Sequence, residues 1–176
     1  MRPHDPPFQR GRPHRARYAP RIDLRTAIWA GLVGGCLASF TKWGVETILP
    51  ARRPDRPSPP VEMLKSLGLH ADAMTYRYSG QTMNYGAVAT HQVFSMTFGV
   101  LYAVLAERYP AVTWGRGTGF GLVVTGAFHG VVLPLGGWAP PIWKLPADEL
   151  SSEMFGHLLW AWTIDVGRRE VLAGPA

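Results

Sequence analysis

Apolar residues gather along this chain into four runs, each set off by polar or proline-rich segments. Residues 78–106, YSGQTMNYGAVATHQVFSMTFGVLYAVLA, contain no Asp, Glu, Lys or Arg, and neither do residues 117–143, GTGFGLVVTGAFHGVVLPLGGWAPPIW. A helix needs about 20 mostly apolar residues to cross a bilayer, and both stretches contain one. The pattern predicts membrane helices over about 26–48, 87–107, 116–138 and 150–168. The fourth is the most interrupted, because Glu153 and Asp165 bracket a short formally uncharged run.

The polar segments are readable too. In the outer loop, over about 49–86, Ser58 is placed to cap a helix, Pro59 to occupy its first position and Gly68 to stop it, which predicts a short helix over about 59–68. Val61, Met63, Leu64 and Leu67 could then rest on the membrane interface. WAPPIWKLP, residues 138–146, reads as a turn at the outer surface, with Trp138 and Trp143 at the level where aromatic belts form. Residues 1–25 hold seven arginines and five prolines without a period that could bury a core, and read as a disordered basic tail. The expected fold class is therefore all-α: an integral membrane four-helix bundle over about residues 26–170, preceded by that tail.

Composition agrees with this picture. Only 17% of residues are charged against 47% hydrophobic, where a soluble domain carries about 25% charged. The mean hydropathy of −0.01 reflects dilution by the tail and loop. Cys36 is the single cysteine, so no internal disulfide and no metal-thiolate motif can form. Positive residues favour cytoplasmic flanks. Placing both termini inside puts eleven Lys and Arg on the cytoplasmic side and six outside. Arg52, Arg53 and Arg56 run against that rule, because they follow the first helix on the outer side.

An ionised group at the bilayer centre costs about 2.5–3.5 kcal/mol even on the mildest scale, so polar residues should face protein or water. At about 100° per residue, Gly31, Gly35, Ser39, Lys42 and Glu46 share one stripe of the first helix, and Asn84, His91, Ser95, Gly99, Tyr102 and Ala106 share one stripe of the second. Thr118, Thr125, His129 and Gly136 align on the third, and Glu153 and His157 on the fourth. Alternating helices bring Lys42, Glu46, His91, His129, Glu153 and His157 to one level in the outer half of the membrane. These six are the polar-layer candidates. Lys42 precedes Glu46 in the weaker i,i+4 order, so Lys42 is expected to reach another helix. Asp165, near the inner end, is expected to pair locally with Arg168 or Arg169. The pairs Gly31/Gly35 and Gly126/Gly130 are expected to form packing seams, and such faces are also candidates for homo-oligomer contacts.

SFTKWGVETILP, PSPPVEML, HQVFSMTFGVLYAVLAERYP, PLGGWAPPIWKLP and SEMFGHLLWAWTIDVGRRE together resemble the YagU family of bacterial inner-membrane proteins. The likeness covers about residues 25–170 and touches Lys42, Trp43, Glu46, His91, Glu107, His129, Pro134, Glu153, Gly156, His157 and Trp160. It implies a multi-pass protein of the cytoplasmic membrane, associated with survival under acid stress and carrying no agreed catalytic residues.

Histidine charges during mild acidification, from an unperturbed pKa of about 6.5. The first functional expectation is thus a polar layer that senses or passes protons. A structural or partner-binding subunit, whose basic tail meets anionic lipid, is the alternative. Haem or metal binding through His91, His129 and His157 is a lesser one, and no tight ligand spacing supports it. Neither a nucleophile elbow, a P-loop nor a dinucleotide fingerprint is present, so no catalytic residues, no enzyme activity and no cofactor are expected. The expected partner is the lipid bilayer, not nucleic acid.

Overall fold

A computed structural model describes residues 23–174 apart from Asp55. The expected basic tail lies outside the described residues up to residue 22, and helix α1 (Leu24–Ile48) has already begun within its expected range. A short helix α2 (Pro59–Ser66) follows, then a hairpin of β1 (Thr75–Tyr78) and β2 (Gln81–Asn84), then α3 (Tyr85–Arg108). The chain returns through α4 (Thr118–Ala127), a π-helical stretch (Phe128–Val132) and a last turn α5 (Leu133–Leu135), which together make one rod over Thr118–Leu135. The last helix, α6, spans Ala147–Ala173.

Three of these rods, Leu24–Ile48, Tyr85–Arg108 and Thr118–Leu135, are long and apolar enough to cross a membrane by length and composition. The fold is mostly helical, but the expectation of an all-α chain needs correction. Thr75 pairs with Asn84 and Tyr78 with Gln81 in an antiparallel hairpin inside the segment expected to be an outer loop. Ser79 and Gly80 both take positive φ, which gives the two-residue turn whose twist suits a hairpin. Asn84 ends β2 and starts α3: its Oδ1 accepts from Ala87 N at 2.8 Å, and its Nδ2 donates to Ala71 O at 2.7 Å.

Close helix packing rests on small residues. A Cβ at Gly31 would lie 2.5 Å from Val100 Cα, and one at Gly35 2.7 Å from Met96 Cα, so α1 and α3 meet backbone to backbone. On the next face of α1, a Cβ at Gly34 would lie 2.6 Å from Ile164 O of α6. The Gly126/Gly130 pair does not behave this way. Nothing lies within 4 Å of a Cβ at Gly126, and Gly130 faces only the edge of Trp143, so among the described residues of one chain this pair forms no backbone seam.

Helix α1 thus sits between α3 and α6, and α4 packs on α6. Opposite α1, α3 and α4 meet through aromatic side chains. Phe94 and Phe98 approach Phe128 edge-on with centroids 4.8 and 5.2 Å away, and Phe120 lies parallel to Trp160 at 6.4 Å. This cluster surrounds the buried residues Ala38, Tyr102, Trp160, Ala161 and Ile164. Trp160 Nε1 donates to Ser95 Oγ, which donates to Gly35 O at 2.8 Å, so one hydrogen-bonded chain crosses α6, α3 and α1.

Candidate functional site

The site lies between this aromatic layer and the end of the bundle that carries α2 and the hairpin. Lys42 and Glu46, one turn apart, face inward from α1, and Glu153 and His157, also one turn apart, face inward from α6. His129 enters from the rod opposite. Pro134 lies five residues after His129. It has no N–H to give and its ring crowds the carbonyl four residues earlier, that of Gly130. The helix widens into its π-helical stretch there, and His129 projects from that stretch.

Glu153 is the hub. Its carboxylate lies 2.9 Å from His129 Nε2, 3.5 Å from Lys42 Nζ and 3.7 Å from Arg52 Nη2, and stands 3.8 Å from His157 Nδ1. His157 Nδ1 also contacts the Glu153 carbonyl at 2.8 Å, and the two imidazoles meet edge to face with centroids 4.9 Å apart. Lys42 bonds Glu46 on its own helix as well as reaching Glu153, so the expected cross-helix contact forms beside a local one. Only 4% of Lys42 and 2% of Glu153 are exposed. Charges this deeply buried persist only when paired.

His91 stands apart from the hub. Its Nδ1 is 3.0 Å from Ser39 Oγ, in the wall of a large cavity. The other five candidates are brought together. Asp165 lies at the far end, on the other side of the aromatic layer. It accepts from Arg169 Nε at 2.7 Å, as local pairing requires, and also from Tyr102 OH at 2.8 Å. Arg168 reaches across to Glu107, which closes a second polar knot between α3 and α6.

Sequence reasoning missed three arginines of the site and the buried Glu149. Arg52 bridges Glu46 and Glu153, and Arg56, with Arg53 further out, pairs with the buried Glu149. The signal was their apparent misplacement. Arginines that run against the expected orientation neutralise carboxylates of the bundle.

The arrangement carries two cations, Lys42 and Arg52, against two carboxylates, Glu46 and Glu153. Ligand atoms of His129, Glu153 and His157 fall within 4.8 Å of one another, close enough to converge on a metal ion. A dication added there would leave about two uncompensated positive charges in a buried cluster, which is costly. His91, the third histidine considered for haem or metal, is not part of that group.

The family described as "Protein of unknown function (DUF1440)" matches residues 36–166. The chain is 33% identical over 190 residues to "Inner membrane protein YagU" of Escherichia coli (strain K12), covering 93% of this chain and 90% of that protein. No solved structure matches the chain.

Proposed function

We propose, for a chain that belongs to the DUF1440 family and to the YagU group within it, a proton-sensing role in the bacterial inner membrane that supports survival in acid. In this reading α6 is a fourth span beside the three apolar rods. Both termini are cytoplasmic, and the end carrying α2 and the hairpin faces the periplasm.

The observation that carries the reading is the sharing of one buried carboxylate, Glu153, by Lys42, Arg52, His129 and His157. With both imidazoles neutral the cluster is balanced. One proton taken up by either imidazole adds a positive charge beside Lys42 and Arg52, and the pairing around Glu153 must rearrange. A small pocket of about 50 Å³ links this group to the loops: Arg52, Arg56, His129 and Glu153 line it together with Trp138 and Pro140. A water-sized space of that kind gives periplasmic protons a route to the cluster.

Sensing is favoured over conduction. Between Glu153 and the Asp165 knot lie Phe94, Phe98, Phe120, Phe128 and Trp160, and the buried hydroxyls at that level are spent on backbone carbonyls, Ser95 on Gly35 O and Thr125 on Gly121 O. The structural-subunit reading keeps the same cluster as a register device and draws its support from the ion pairs alone.

The test is acid survival of cells carrying His129→Gln or Glu153→Gln, with membrane levels of each protein measured. Reduced survival at normal abundance is expected. Survival equal to the parent in both variants would discard the role.

A further inference from the structure

The large cavity beside the polar cluster has a use that proton sensing does not require. Its volume is about 600 Å³, within the range of about 300–1,000 Å³ typical of small-molecule sites. It is walled by α1, α3 and the α4 rod, roofed by α2 and the hairpin, and floored by Phe94 and Phe128. Phe40 and Trp43 line it and are 55% and 48% exposed on the flank of α1, so its mouth opens at a level that lipid would occupy. A ligand would therefore enter from the membrane.

The polar groups facing the cavity define the ligand's head. Lys42 and Arg52 already balance Glu46 and Glu153, so a charged head would arrive without a counter-charge. The head must be neutral. Two lining side chains each carry a buried polar atom with no hydrogen-bond partner: Gln92 on α3, whose Nε2 is a donor, and Glu153 on α6, whose Oε2 lies 3.7 Å from Arg52 Nη2. His91, whose Nδ1 is 3.0 Å from Ser39 Oγ, lies in the same wall. Unmade hydrogen bonds at buried groups are costly, and a ligand that completes them gains accordingly. The aromatic surfaces of Trp43, Phe94, Phe128 and Trp138 suit a flat ring.

We infer that this cavity binds a lipid-soluble quinone in its reduced, quinol form. A ring oxygen accepts from Gln92 on one side, a quinol hydroxyl donates to Glu153 Oε2 on the other, and the apolar tail leaves between Phe40 and Trp43 toward the bilayer. No electron transfer is part of the inference. It goes beyond the proton-sensing role, and its measurement is independent of acid survival.

The experiment uses full-length protein in nanodiscs of quinone-free phospholipid, titrated anaerobically with a benzoquinol bearing a decyl tail, kept reduced by dithionite, and read by tryptophan quenching. Saturable binding at one site per chain is expected. Gln92→Leu should weaken it about fivefold, the effect of one lost net hydrogen bond. Val88→Trp, which fills the cavity from α3, should weaken it more than tenfold. Gel filtration and thermal unfolding confirm that each variant is folded, and a second filling variant, Val132→Trp from the opposite wall, serves if Val88→Trp is not. Absence of saturable binding would overturn the inference. So would binding that neither the Gln92 nor the filling variants reduce, or displacement of the quinol by a decyl alcohol at equal concentration, which would show that the tail alone is recognised.

Discussion

Replacing Glu153 by Gln removes the charge that Lys42 and Arg52 share, and the geometry sets the size of the effect. At 3.5 Å and an effective dielectric of about 20, the Lys42–Glu153 attraction is about 5 kcal/mol, and that of Arg52 at 3.7 Å is about 4 kcal/mol. The cost of desolvating the carboxylate offsets much of this, and breaking one partner of a buried pair is typically worth about 3–5 kcal/mol. Glu46, still bonded to Lys42, compensates in part, so Glu153→Gln should cost about 3 kcal/mol and Lys42→Met a similar amount. In the double variant Glu46 keeps Arg52 as its partner at 3.6 Å, and neither a lone lysine nor a lone Glu153 carboxylate remains. Its loss should fall short of the sum of the singles by about 2 kcal/mol. The assay is reversible unfolding in mixed micelles, followed by tryptophan fluorescence, since Trp160 lies 6.1 Å from His157. Losses that add to within about 0.5 kcal/mol would refute the shared-charge reasoning.

Glycine replacements should separate the real seam from the absent one. Gly35→Ala drives a methyl group into the α3 backbone and should cost about 1–3 kcal/mol in the same unfolding assay, whereas Gly126→Ala meets open space and should be neutral or stabilising by up to about 1 kcal/mol. Tyr102→Phe removes the hydroxyl that Asp165 accepts from. Because Arg169 stays bonded to Asp165, the expected loss is only about 1 kcal/mol, and a loss above about 3 kcal/mol would mean that the knot is more coupled than its geometry indicates. For orientation, single cysteines at Ser79 and Arg116 in a Cys36→Ala background should differ in intact cells: an impermeant thiol reagent should label position 79 and spare position 116.

What the sequence disclosed was mostly periodic. The stripe from Gly31 to Glu46 and the one from Ser95 to Ala106 are legible because helical spacing maps directly onto a face, and cost in lipid says which face turns inward. Three features were not periodic. The hairpin was announced only by the Ser79–Gly80 dipeptide between short β-prone segments, a local signal inside a loop already read as polar. The π-helical stretch depends on how Pro134 is accommodated, which spacing does not reveal. The roles of Arg52 and Arg56 depend on where the chain after α1 folds back, a tertiary fact, and their only trace was a breach of the positive-inside bias. Gly126 and Gly130 show the converse: a motif with the right spacing on a face that meets no other backbone.

The central claim is that His129 and His157 exchange protons with the outside while gathered on Glu153. Solid-state nitrogen NMR of full-length protein in lipid, with heavy-nitrogen histidine and signals assigned through His129→Gln and His157→Gln, measures this directly. On acidification at least one of the two imidazole signals should pass from neutral to protonated, and Glu153→Gln should alter that response. Imidazole signals that stay unchanged on acidification, or a response indifferent to Glu153→Gln, would contradict the account.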